Sequence, residues 1–288
     1  LEEVKAEMAD RGVDPAIFED VEDAALGNGG LGLAFGEILG WTLMWSFFAT
    51  FTNYFLGMMV ALLINKKGIK VKKLWRTILI MTIAIPQFIS LLYVKNLFSR
   101  TGLFGNFLIE HQLLPEFMTS MNQLSLWENP ITAKILVIVI NIWVGIPYVM
   151  LMATGILMNI PEDLYESSRV DGASGFKQFT KITLPYMLFV TGPYLLTNFV
   201  GNLNNFNIIN FLTSGGPNYT AVDGFTTAGG VVVGHTDLLV TWLYRMTMNP
   251  SKVEYYSASL IGIMVFLVVA ILSLIVYNVI PSTRNEED

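Results

Sequence analysis

Five stretches of the chain carry no Asp, Glu, Lys or Arg: 38–65, 77–94, 135–161, 182–222 and 255–283. Each holds an apolar run near the ~20 residues a helix needs to cross about 30 Å of hydrocarbon. The pattern predicts spans at about 38–64, 75–98, 134–158, 184–212 and 256–280. A soluble fold would require several buried helices without an amphipathic face, which is disfavoured. Prolines interrupt three spans, at Pro86, Pro147 and Pro193, the last beside Gly192. Each is either a simple kink, its freed carbonyls satisfied by neighbours, or a broken helix beside a pathway.

The polar connections set an orientation. Residues 65–76 carry Lys66, Lys67, Lys70, Lys72, Lys73 and Arg76 with no acid, the pattern of a cytoplasmic loop. Alternation then puts 99–133 outside, 159–183 inside, 213–255 outside and the tail 282–288 inside. The 101–133 loop agrees, with Glu110, Glu116 and Glu128 but no Lys or Arg. Residues 1–37 form an extracytoplasmic acidic segment, and 38–281 a transmembrane domain. A first span entered from outside implies upstream spans that precede Leu1. The start is no signal peptide, since Glu2, Glu3 and Glu7 contradict a basic n-region.

Composition narrows the classes further. Charged residues make up 14% of the chain, against about 25% in soluble domains, and the mean hydropathy is +0.54. With no cysteine, neither a disulfide framework nor a thiolate metal site is possible. His111 and His235 lack ligand-spaced partners and read as satisfied surface histidines. The net charge of −6 is too diffuse to indicate nucleic acid. The chain reads as an all-α integral membrane protein.

The connection 159–185 has a distinct local logic. Pro161 opens a helix, and Glu162 and Asp163 suit its first turn. Leu164, Ser167 and Ser168 share a face, and Gly172 permits a sharp exit. A second short helix carries Phe176, Phe179 and Ile182, and Pro185 opens the next span. This loop resembles the coupling loop of binding-protein-dependent ABC importer permeases, whose pattern is Glu-Ala-Ala, three residues, Gly, nine residues, then Ile-x-Leu-Pro. Glu166, Gly172, Ile182, Leu184 and Pro185 fall at those spacings, while Ser167 and Ser168 replace the alanines. The resemblance implies that Glu166, Ser167, Ser168, Asp171 and Gly172 couple the chain to an ATPase.

From about 38 to 281 the chain is similar to the larger permeases of maltose and maltodextrin importers. The stretches that carry this are 141–148, 160–166, 202–206, 212–217 and 235–240. A departure lies at 229–234, where that family's path looks shorter. The resemblance implies a type I importer permease core working by alternating access. It implies as partners a second permease subunit, two ATP-binding subunits, an extracytoplasmic sugar-binding protein and the lipid bilayer of a bacterial plasma membrane. ATP and Mg would be used by those subunits, with no cofactor bound by this chain.

Polar residues inside spans are costly and face the bundle interior. The fourth span holds Asn198, Asn202, Asn204, Asn205, Asn207 and Asn210, of which Asn198, Asn202 and Asn205 recur on one helical face. Asn141, Gly145 and Tyr148 repeat that spacing in the third span, where Trp143 and Tyr148 offer flat surfaces for a sugar ring. The plain alternative is interhelical glue for the amides and an interfacial belt for the aromatics. The maltose-type resemblance implies solute contacts at Asn141, Val144, Gly145, Tyr148, Asn198, Asn202 and Asn205. Asn198 stands where the family has serine. The span cores hold no acid or base, which favours a neutral, hydroxyl-rich solute over a proton relay.

Three functions compete on these residues. A self-sufficient secondary transporter requires ion-coordinating acids or an inverted repeat. A membrane enzyme requires a clustered catalytic set. An ABC permease requires a separate energy source, and the chain has no Gly-x-x-x-x-Gly-Lys-Ser/Thr loop. The permease reading accounts for the loop, with a maltodextrin-like sugar as cargo. Another polyol or a glycerol-phosphate-like solute is the alternative.

Overall fold

The first apolar stretch forms one long helical rod. In the computed structural model, which describes residues 30–66, 68–113, 126–219, 233–248 and 255–279, α1 (Gly30–Phe47) passes through a π-helical turn, Phe48–Thr52, into α2 (Asn53–Asn65). Ile38, Thr42, Ser46, Thr50, Tyr54 and Met58 are all buried, a strict four-residue repeat. Four residues of α-helix turn through about 400°, so such a stripe drifts ~40° at each step. The wider turn absorbs an extra residue and brings the stripe back toward the bundle.

The second span is not straight. α3 (Lys72–Ala84) and α4 (Gln87–Leu97) meet at 94°. Ile85 is extended, at φ −84° and ψ 130°, because a residue preceding proline avoids the helical region. The reading at Pro86 is therefore a break rather than a kink. α5 (Leu103–Glu110) follows.

The other prolines are carried inside continuous helices: Pro147 in α6 (Pro130–Leu157) and Pro193 in α9 (Leu184–Leu203). Asn129 caps α6, its Oδ1 accepting from the Ile131 and Thr132 amides. Between these two helices lie α7 (Glu162–Val170), α8 (Gly175–Gln178) and a second π-turn, Phe179–Thr183. The fourth expected span breaks after Leu203 and resumes as α10 (Phe206–Leu212). α11 (Leu239–Met248) and α12 (Tyr255–Val279) complete the described helices. Ala34–Asn65 and Pro130–Leu157 are each long and apolar enough to cross a membrane, and the bent α3–α4 pair qualifies as one broken span.

Three buried clusters hold the bundle. At one end Tyr54, Met58 and Ala61 of α2 pack on Val149, Met150 and Ala153 of α6 and on Met187 of α9. A Cβ at Gly57 would stand 2.5 Å from that of Val149, so α2 and α6 are in close approach. In the middle Trp41, Trp45 and Leu91 meet Val137, Ile140 and the apolar face of α10. At the far end Ala34 and Ile38 pack with Leu239, Trp242, Ala258 and Ile261. The described residues contain no strand, only one isolated bridge between Asn218 and Gly234. Residues 1–29, the tail 282–288 and positions 229–232 lie outside the described residues.

Candidate functional site

The coupling segment folds as its residues direct. Pro161 precedes α7, and Glu162 and Asp163 occupy the first turn. Gly172 takes φ +74°. Its amide donates to the Arg169 carbonyl at 3.0 Å and the Ala173 amide to Ser168 at 2.9 Å, the paired bonds of a Schellman stop. Ser174 then caps α8, accepting from the Lys177 amide at 3.3 Å.

The two short helices are locked by polar contacts. Gln178 Nε2 donates to Ser168 Oγ at 2.8 Å, and Ser168 Oγ donates to the Tyr165 carbonyl at 2.9 Å. The Tyr165 and Thr183 hydroxyls pair at 2.8 Å. Ser168 therefore faces inward, while Glu166, Ser167, Asp171 and Gly172 are exposed. Sequence periodicity grouped the two serines on one face with Leu164, and the packing separates them. Leu164, Val170 and Phe176 stand out at 49%, 89% and 77% exposure.

In the span interior the asparagines form a ladder. Asn198 Nδ2 donates to the Tyr194 hydroxyl at 2.7 Å, Asn202 Nδ2 to Asn198 Oδ1 at 2.7 Å, and Asn205 Nδ2 to Asn202 Oδ1 at 3.1 Å. Asn202 also donates to Thr50 Oγ1 at 3.1 Å, and its carbonyl accepts from Trp45 Nε1 at 3.1 Å. The Asn202 side chain is buried and fully engaged, so here it positions its neighbours. Asn205 caps α10, and Asn204 and Asn207 are exposed.

The third-span face divides in the same way. Asn141 is buried and Tyr148 is half exposed. Trp143, Val144 and Tyr148 line a shallow pocket with Thr82, Ile85, Gln87 and Ser90, contributed by the α3–α4 elbow. Gly145 does not face that pocket openly, because the Asn53 amide is packed against it. The sequence did not single out Thr50, Asn53, Gln87 or Ser90. Thr50 and Asn53, with Thr52 between them, are polar residues inside an otherwise apolar run, and that is the available signal.

Charge is kept to the ends. Lys134 lies in the second turn of α6, 4.8 Å above the Trp41 ring. At the opposite end, Lys72 Nζ donates to the Asn65 carbonyl at 3.0 Å and Arg76 donates to Asn65 Oδ1. Asn65 in turn donates to Thr154 Oγ1 at 3.4 Å, which ties the basic connection to α6. The stretches 212–217 and 235–240 are brought together: the Thr213 and Thr236 hydroxyls pair at 2.7 Å, and Trp41 Nε1 donates to the Thr236 carbonyl at 3.2 Å. His235 is partly buried, its ring tilted 33° against that of Tyr219 with centroids 3.6 Å apart. No group of three His, Asp or Glu suited to a metal occurs among the described residues.

Known proteins are similar to this chain in sequence, and one solved structure in fold. The galactooligosaccharide transport permease GanP of Bacillus subtilis is 37% identical over 234 residues, 81% of this chain and 52% of that protein. The maltodextrin permease MdxF of the same species is 33% identical over 257 residues, 88% and 56% of the two chains. The maltose/maltodextrin permease MalF of Vibrio vulnificus is 36% identical over 242 residues, 84% and 44%. The chain spans about half the length of the curated relatives it matches. A chain of a bacterial alginate ABC transporter, solved in complex with an alginate pentasaccharide-bound periplasmic protein, superposes with a TM-score of 0.63. That match has 21% identity and covers 92% of this chain and 90% of the other, so the fold is shared. Residues 53–285 match the family described as binding-protein-dependent transport system inner membrane component, and the chain belongs to that family.

Proposed function

We propose that the chain is the membrane-spanning subunit of an ATP-driven importer and forms the translocation path for a neutral oligosaccharide of the maltodextrin kind. The α7–α8 hairpin carries this reading. Tyr165, Ser168, Gln178 and Thr183 are bonded to one another across it, while Leu164, Val170 and Phe176 project outward. An apolar projection held on a rigid hairpin suits insertion into a cleft of another subunit. With the 65–76 basic connection on the same side as the hairpin, both lie in the cytoplasm, residues 1–37 lie outside and the C-terminus lies inside.

ATP closure of two separate ATPase subunits moves the hairpin, and through Tyr165–Thr183 that motion reaches α9. The path then alternates between inward and outward access, biased by the differential affinity of ATP for the two states. A second permease subunit completes the path, and a sugar-binding protein delivers solute from outside. The names of GanP, MdxF and MalF support an oligosaccharide cargo, as does the amide-rich interior. This chain itself hydrolyses nothing.

The test is co-purification and uptake in proteoliposomes reconstituted with the second permease subunit, the ATPase subunits and the sugar-binding protein. Phe176→Asp should abolish ATPase association and maltotriose uptake together. Retention of both overturns the coupling assignment, and wild-type complex that carries no oligosaccharide overturns the cargo assignment.

A further inference from the structure

Most buried side-chain polar atoms of the bundle are paired, so the unpaired ones are informative. Asn53 Oδ1 and Asn141 Nδ2 are both buried without a hydrogen-bond partner. Their residues are 7% and 5% exposed. They belong to one contact, since Asn53 Nδ2 donates to the Asn141 backbone carbonyl at 3.4 Å. One free atom accepts and the other donates. A hydroxyl does both, whereas a carboxylate has no proton to give Asn53.

Gly145 supplies an independent observation. A Cβ at that position would lie 2.3 Å from Asn53 Nδ2 and 2.6 Å from Asn53 Cγ. The glycine is thus the seat of the Asn53 amide, one turn beyond Asn141 on the same face of α6. The π-turn Phe48–Thr52 immediately precedes Asn53, and such turns concentrate at functional sites. Thr50, inside it, holds Asn202. The first rod therefore touches both asparagine faces within four residues.

We propose that Asn53 is a specificity-determining residue of the solute path, seated on Gly145 and forming with Asn141 a donor–acceptor pair that receives one solute hydroxyl as the path opens. This rests on the oligosaccharide reading above. The α2–α6 contact covers the pair in the conformation seen here, and its loosening exposes both atoms at once. The need for space at residue 145 then comes from Asn53, not from the solute directly.

The experiment uses the full transport complex in proteoliposomes, with maltotriose and galactotriose as probes. Asn53→Ala should raise the KM for the transported sugar at least tenfold without loss of assembled complex. Asn53→Ser, which returns a group able to both donate and accept to the position, should recover part of that. Gly145→Ala should cut uptake at least tenfold, and Asn53→Ala/Gly145→Ala should return it to within about threefold of Asn53→Ala alone. A KM within twofold of wild type in Asn53→Ala, or no recovery in the double variant, overturns the inference while leaving the cargo reading intact. Wild-type complex that moves neither probe overturns both.

Discussion

Arg245 Nη1 meets Asp237 Oδ2 at 2.5 Å, with the carboxylate fully buried and the guanidinium 23% exposed. Asp237 also accepts from the Gly234 amide at 2.8 Å and the Thr241 hydroxyl at 3.0 Å. Arg245 Nη2 reaches on to Asn218 Oδ1 at 2.8 Å. One ion pair thus pins the segment 215–219 and the segment 233–237 onto α11. Burial pushes the Asp237 carboxyl up to about 6, against the opposing pull of Arg245, the Gly234 amide and Thr241.

A pH dependence of stability follows from that shift. The folded carboxyl holds its proton more tightly than the unfolded one, whose ordinary value is 3.8. Its contribution to stability is therefore greatest below the unfolded value, falls as pH rises to about 6, and is level above that. Thermal midpoints of purified protein in detergent should show a component of this slope that Asp237→Asn removes. Identical slopes in wild type and Asp237→Asn contradict it.

Removing the cation is worse than removing the pair. Arg245→Met leaves a buried carboxylate unpaired, and breaking such a pair costs about 3 kcal/mol. Asp237→Asn/Arg245→Met should recover part of that loss. Denaturant unfolding of the three variants separates the contributions, and an Arg245→Met protein as stable as wild type would refute the pinning role.

The two serines of the coupling hairpin should behave differently. Ser168 joins Gln178 to the Tyr165 carbonyl, so Ser168→Ala should cost about 1 kcal/mol and loosen α7 from α8. Ser167 is exposed and makes no such link, so Ser167→Ala should leave stability unchanged. Hydrogen exchange of 162–183 measures the difference directly, and equal protection in the two variants would argue against it.

Gly172 holds φ +74°. A β-branched side chain there costs roughly 1–2 kcal/mol in left-handed backbone, so Gly172→Val should distort the hairpin while the membrane rods remain folded. ATPase association should fall and helical circular dichroism should not. Full ATPase binding by Gly172→Val would remove the geometric basis of the coupling reading.

Asn202 is a structural hub before it is a solute contact. Asn202→Leu leaves Thr50, Asn198 and Asn205 short of partners, and should lower stability by about 1 kcal/mol, of which the one interhelical bond, to Thr50, contributes roughly 0.6 kcal/mol and the two local bonds the rest. Periodicity alone predicts lost transport with intact assembly; the hydrogen-bond ladder predicts a lowered melting temperature as well. A differential scanning assay on the detergent-solubilised variant distinguishes the two.

Much of the architecture was legible because its causes are local. A charge-free stretch in lipid must satisfy its own backbone, so 38–65 and 135–161 had to be helical. Pro161 and Gly172 direct the start and stop of α7 within their own neighbourhoods, whereas Pro185 does not open a new helix: the chain is helical without a break from Gly175 through the π-turn to Leu203. The same local reasoning allows either outcome at a proline. Pro86 breaks its span by 94° while Pro147 and Pro193 ride inside helices. Ile precedes both Pro86 and Pro147, so the preceding residue alone does not separate the two outcomes.

The site was half legible for a related reason. Spacing shows which residues share a face: Asn141 and Asn202 are buried, and Asn198 and Asn205 are partly so. Spacing says nothing of what meets them there. Asn202 is occupied by Thr50, 152 positions away, and its carbonyl by Trp45, 157 positions away. Asn53 fills the hollow at Gly145 from 88 residues upstream of its partner Asn141. Whether an inward amide is spent on a neighbour or left for a solute depends on contacts between remote segments. Residue order encodes helices and their polar faces; three-dimensional packing assigns each polar atom its partner.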